Sequence, residues 1–132
     1  MVKNPDQPKK SSRPTAGFGG SYDDYLTPAL DLNALLVSKP AATVFMRVNG
    51  DDMEGGGVSN GDILVLDRSI TPVAGHIVVA VVDGQFVVRN LLVTKDGVEL
   101  HKATGQTPQV FTEGIEITGV VTSAIKQFVK LQ

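Results

Sequence analysis

Few side chains in this 132-residue chain are equipped for chemistry. There is no cysteine, which removes a thiolate nucleophile, a disulfide framework and any cysteine-based metal site. The two histidines, His76 and His101, fall within or beside separate predicted strands. Neither has metal-ligand spacing to a second ligand, so both read as surface or packing residues rather than a triad base or zinc ligands. No metal and no cofactor is expected. Glu54-Gly55-Gly56-Gly57 lacks the Lys and Ser/Thr that follow a phosphate loop, and reads as a turn. Asp51 and Asp52 would make an acid–base pair only by sharing a proton, but neighbours in an extended chain point to opposite faces. Asp51 is expected to bond nearby backbone N–H groups instead.

The elements that must position these residues are mostly strands. Asp31 is placed to cap a short helix carrying Leu32, Leu35 and Leu36 on one face and ending before Pro40. After Pro40 come Thr43 to Val48, rich in β-formers and closed by Asn49-Gly50, and then Ile63 to Leu66 behind Asn60-Gly61-Asp62. His76 to Val82 and Gln85 to Arg89 flank Asp83-Gly84, a dipeptide that accepts positive φ and closes a two-residue hairpin. A turn at Lys95-Asp96-Gly97 leads to Val98–Lys102. Ile115 to Val121 opens a closing β-rich stretch through Phe128. The expected fold is therefore a small, mostly antiparallel β domain with one short helix.

Composition adds boundaries. With 42% hydrophobic residues the chain can bury one core without staples. Residues 1–17 carry Pro5, Pro8 and Pro14 among polar residues and read as a flexible arm, with 18–132 as the folded domain. The formal charge is −2, but Lys3, Lys9, Lys10 and Arg13 make the arm basic and leave the remainder acidic. An acidic body argues against direct sequence-specific DNA binding, which needs a basic face. No apolar run suits a signal peptide or a membrane span, so a cytoplasmic protein without membrane attachment is expected.

One constellation is more specific. Val48-Asn49-Gly50-Asp51-Asp52-Met53, followed by Val58-Ser59-Asn60-Gly61-Asp62-Ile63-Leu64-Val65-Leu66-Asp67, resembles the active-site block of the LexA and UmuD self-cleaving peptidases. The resemblance runs on through Ala74-Gly75-His76-Ile77-Val78-Val79-Ala80 and Asp83-Gly84 into Phe86-Val87-Val88-Arg89, and ends at Gly119-Val120-Val121. Upstream, Ala16-Gly17-Phe18 is similar to the family's self-cleavage site. Leu30-Asp31-Leu32-Asn33 and Lys39-Pro40-Ala41-Ala42-Thr43 resemble UmuD in particular, and no helix-turn-helix precedes the cleavage site as it does in the repressors.

The resemblance implies the small β domain of the LexA/UmuD C-terminal type with an extended N-terminal arm. It also implies a homodimeric accessory protein of SOS mutagenesis and translesion synthesis. Such a protein loses its arm under RecA-filament stimulation and joins a UmuC-type polymerase. The family mechanism needs a serine hydroxyl as nucleophile and a lysine amine, held neutral by burial, as base. Here Asp52 stands at the serine position and Arg89 at the lysine position. A carboxylate is a poor nucleophile toward an amide, and a guanidinium does not give up its proton in proteins. Self-cleavage is therefore expected to fail, so that the chain either stays full-length or is cut at Ala16-Gly17 in trans by an active UmuD relative. Ser59 and Ser69 match neither position and suit turns beside Asn60-Gly61 and Thr71-Pro72. The two replacements are expected to meet as an ion pair, which arginine's planar fork could make bidentate. Two other outcomes remain open: a hydrolase with a rewired Asp/Arg site, and a dominant-negative partner that holds active relatives in mixed dimers.

Overall fold

Aliphatic, β-branched runs separated by turn residues build a single sheet. The computed structural model describes residue 26 and residues 29–103, 108–111 and 115–131. The chain divides into two units, Met1–Asp31 and Leu32–Gln132. The arm, with Ala16 and Gly17, lies outside the described residues.

The second unit opens with helix α1 (Leu32–Leu36), which starts directly after Asp31 as expected. A 3-10 turn at Pro40–Ala42 replaces any continuation of it. Among the described residues seven strands follow: β1 (Thr43–Arg47), β2 (Ile63–Asp67), β3 (Ile77–Val82), β4 (Gln85–Thr94), β5 (Gly97–His101), β6 (Gln109–Phe111) and β7 (Ile117–Ile125). They form one sheet in the order β1-β2-β7-β3-β4-β5-β6, with every pairing antiparallel. Among the described residues the fold is mostly antiparallel β with one short helix.

The β3–β4 hairpin turns on Asp83 (φ 51°) and Gly84 (φ 78°), the two positive angles that match the twist of the flanking strands. Three features differ from expectation. Strand β4 continues past Arg89 to Thr94, and β6 is an additional strand at the sheet edge. The last strand stops at Ile125, short of Phe128.

Because successive side chains on a strand point to opposite faces, β3 supplies two cores. Val79 packs with Met53, Val58, Leu64 and Leu66, while Val78 and Ala80 pack with Leu91, Leu100 and Val120. Burying each such leucine or valine stabilises the fold by about 1.5–3 kcal/mol. Strand β7 lies between β2 and β3 and shifts register against both, with Thr122 the extra residue opposite Val65/Leu66 and Thr118 opposite Val79/Ala80. Bulges of this kind bend and twist a strand. The hydroxyl of Thr122 donates to the Val65 carbonyl at 3.3 Å.

Candidate functional site

The loop between β1 and β2 is anchored before it presents any functional group. At its base Val48 N–H donates to the Asp62 carbonyl at 2.8 Å and Gly61 N–H to the Val48 carbonyl at 2.9 Å. Further along, Asn60 Oδ1 accepts from Gly50 N–H at 2.8 Å, and Asp62 Oδ2 accepts from Ser59 N–H at 2.9 Å. Met53 and Val58 are buried in the core, so the loop is pinned from below as well. Asp51 contributes its carbonyl, accepting from Glu54 N–H at 3.0 Å. The side chains that hold the loop's backbone N–H groups are thus Asn60 and Asp62, a correction to the role expected of Asp51.

Asp62 is itself held from a distance. It is buried, and Lys126 Nζ, just past β7, donates to both its oxygens at 2.8 and 2.9 Å. The Lys126 hydrogen bond and the Ser59 N–H hold this carboxyl below the usual aspartate range, outweighing burial, which pushes the other way.

Asp52 emerges from the pinned loop, with its carbonyl accepting from Ala103 N–H at 2.9 Å. Arg89 comes from β4, opposite Val78 on β3. Their side chains meet: Arg89 Nη1 lies 3.1 Å from Asp52 Oδ2. Lys102 stands on the other side of the same carboxylate, with Nζ 3.7 Å from Oδ1. The expected pair forms, but not as a two-handed fork. Nη1 also donates to the Val88 carbonyl at 2.8 Å, and Arg89 Nε is buried with no acceptor. A buried donor left unpaired costs about 1–3 kcal/mol. Both residues line a cavity of about 260 Å³, whose apolar wall includes Met46, Val48, Met53, Leu64, Val79 and Phe86.

Residues 10–122, a span that includes both partners of this ion pair, match the Peptidase S24-like family. The chain belongs to that family. It is similar to protein ImpA of Salmonella typhimurium, 41% identical over 120 residues that cover 90% of this chain and 83% of the relative. Protein SamA of Salmonella typhimurium strain LT2 is 39% identical over 131 residues, 95% of this chain and 93% of the relative. Protein MucA of Escherichia coli is 38% identical over 117 residues, 86% of this chain and 80% of the relative. Within the Peptidase S24-like family this chain is a UmuD-like member of the LexA/UmuD superfamily.

The remaining candidates of this Peptidase S24-like chain are engaged elsewhere. Ser59 Oγ donates to Glu54 Oε1 at 3.0 Å. Ser69 donates through both N–H and hydroxyl to Asp67 Oδ1. Those two bonds from Ser69 hold the Asp67 carboxyl below its usual range against the opposing effect of burial, so it is a weak base for the serine it touches. His76 Nδ1 accepts from Val73 N–H at 3.1 Å, and His101 Nε2 is 2.8 Å from Glu99 Oε1. The ion pair therefore joins Asp52 and Arg89, while both serines and both histidines keep local partners. Sequence reasoning missed Lys102 and Lys126. The approach of Lys102 depends on the β4–β5 hairpin returning its end toward the loop, for which the cue was Lys95-Asp96-Gly97.

Proposed function

We propose that this chain is a UmuD-like accessory protein of SOS mutagenesis and translesion DNA synthesis that works by association and does not cleave itself. The observation that carries the reading is the contact between Asp52 and Arg89. At the two positions where the resemblance puts nucleophile and base, a carboxylate and a guanidinium neutralise each other, and neither can replace a hydroxyl or a neutral amine. Kinship with ImpA, SamA and MucA supports the mutagenesis role.

In this reading the protein is a cytoplasmic homodimer whose partner is a UmuC-type polymerase. The RecA filament meets it without triggering arm loss, and an active UmuD relative cuts Ala16-Gly17 in trans or is held with it in mixed dimers. No helix among the described residues is long and apolar enough to cross a membrane. The rewired-hydrolase alternative needs Asp52 turned to a water and Arg89 to an oxyanion, whereas the two groups face one another.

The test is incubation of the purified full-length chain with RecA, ATP and single-stranded DNA, and separately at alkaline pH. The mass of the chain should stay unchanged. Arm loss that vanishes in Asp52→Ala would establish a rewired hydrolase and end the proposal. Failure of a tagged active UmuD to retain this chain would remove the mixed-dimer role.

A further inference from the structure

A second cavity, of about 670 Å³, lies where the chain leaves β7 and meets the base of the β1–β2 loop. That volume is in the range of sites for small ligands. Its charge runs against that of the chain. Asp62 is cancelled by Lys126, which donates to both its oxygens. Arg47 and Lys130 are the cations left lining the cavity, in a chain whose formal charge is −2. Arg47 Nη1 donates to the Gly61 carbonyl at 3.0 Å, which fixes the guanidinium beside the loop. Asn60 Oδ1 is taken by Gly50 N–H at 2.8 Å, so the donors of its amide are what it can turn to a ligand. Phe128 supplies an independent observation. It lines the same cavity yet is 89% exposed, with Lys126 and Lys130 on either side of it in sequence.

We propose that this cavity binds a short stretch of single-stranded DNA, with one base stacked on Phe128 and the flanking phosphates on Arg47 and Lys130, and that it reads no sequence. Stacking on an aromatic ring attracts any base, and nearby cations track the backbone. A duplex is disfavoured because its bases are already stacked on one another. The acidic body is no obstacle, since two phosphates call for two local cations rather than a basic face. The choice of DNA over RNA rests on the translesion reading above. A lipid surface would call for an apolar face around the ring. Val129 and Leu131 are exposed, but they do not line the cavity, whereas Asn60, Asp62 and Gln127 do.

The experiment is fluorescence anisotropy of labelled oligo-dT, about eight nucleotides long, titrated with the full-length chain, Phe128→Ala and Lys130→Gln. Because the N-terminal arm carries Lys3, Lys9, Lys10 and Arg13, differences between variants isolate the site. Phe128→Ala should weaken binding about fivefold or more, and Phe128→Trp should not. Lys130→Gln should reduce the slope of log K against log salt by about 0.7. An abasic oligomer of the same length should bind the parent and Phe128→Ala alike. Both side chains are exposed, so the variants should melt with the parent. No binding, an unchanged affinity in Phe128→Ala or an unchanged slope in Lys130→Gln overturns the proposal. So does tighter binding of oligo-rU, or of phosphatidylserine vesicles, than of oligo-dT. A Phe128→Ala chain that sediments as a smaller species than the parent overturns it too, by showing that the ring covers a second copy. Absence of binding leaves the non-cleaving reading standing, because that reading falls only to arm loss.

Discussion

Arg89 and Asp52 are partners of unequal burial: the arginine side chain is 6% exposed and the aspartate 47%, with 3.1 Å between them. Removing one is therefore not equivalent to removing the other. Asp52→Ala strands a buried cation. That would cost about 3–5 kcal/mol if fully uncompensated, and we expect about 1–3 kcal/mol because water reaches the site from the exposed side. Arg89→Met keeps the stem and leaves an aspartate that water and Lys102 can serve, so a change within about 1 kcal/mol is expected. Urea denaturation of the two variants and their double should show this order, and a double variant costing less than the sum of the singles. Equal losses would contradict the asymmetry.

The same proximity predicts how cleavage could be regained. Asp52→Ser with Arg89→Lys places a hydroxyl and an amine on two positions already in contact. The double variant should shed its arm at Ala16-Gly17 under alkaline conditions, while each single substitution leaves the chain intact. Mass spectrometry reads the outcome, and an inert but folded double variant would show that more than the dyad is missing.

Asp62 and Lys126 set an acid limit. A carboxyl held below its ordinary value when folded binds its proton less tightly than in the unfolded chain. Its contribution is complete above about pH 4 and fades as pH falls further, through the depressed folded value. Asp62→Asn should therefore destabilise the protein at about pH 7 and matter progressively less toward about pH 3, as read from melting temperatures. Loss of equal size at both ends would mean the bond to Lys126 does not depend on charge.

Gly119 sits where β7 crosses Leu66. An added Cβ would lie 3.3 Å from both Cβ and Cδ2 of that leucine, which is itself fully buried. Gly119→Ala should cost about 1 kcal/mol through overpacking, and pairing it with Leu66→Ala, which removes Cδ2 and leaves Cβ, should recover only part of the crowding. A neutral single variant in urea would show that Leu66 has room to move.

Legibility in the sequence followed the range of the forces involved. The Asp83-Gly84 hairpin was readable because a two-residue turn is set by its own φ angles. The short helix before Pro40 and the strands β1 and β2 were readable from composition and flanking turns. Strand β6 was not, since three residues bounded by Pro108 carry no periodicity and gain their partner, β5, only in the folded sheet. Past Arg89, Asn90 discourages a strand, yet it pairs with His101 inside a continuous ladder. At the site, residue types and resemblance pointed to Asp52 and Arg89. The grip of Lys126 on Asp62 spans 64 positions and leaves no local trace, so Asp62 read as a turn residue.

The position of β7 has a further outcome for how the chain comes to be folded. It is the last of the described strands in sequence but central in space, flanked by β2 and β3. While the ribosome still holds the C-terminal segment, β2 and β3 each carry one unzipped border, and their neighbours lie far along the chain. Joining them means closing long loops, which slows assembly. Nascent copies will spend that interval with sticky margins that chaperones can protect, and premature termination before Ile117 should yield aggregates rather than a smaller stable body.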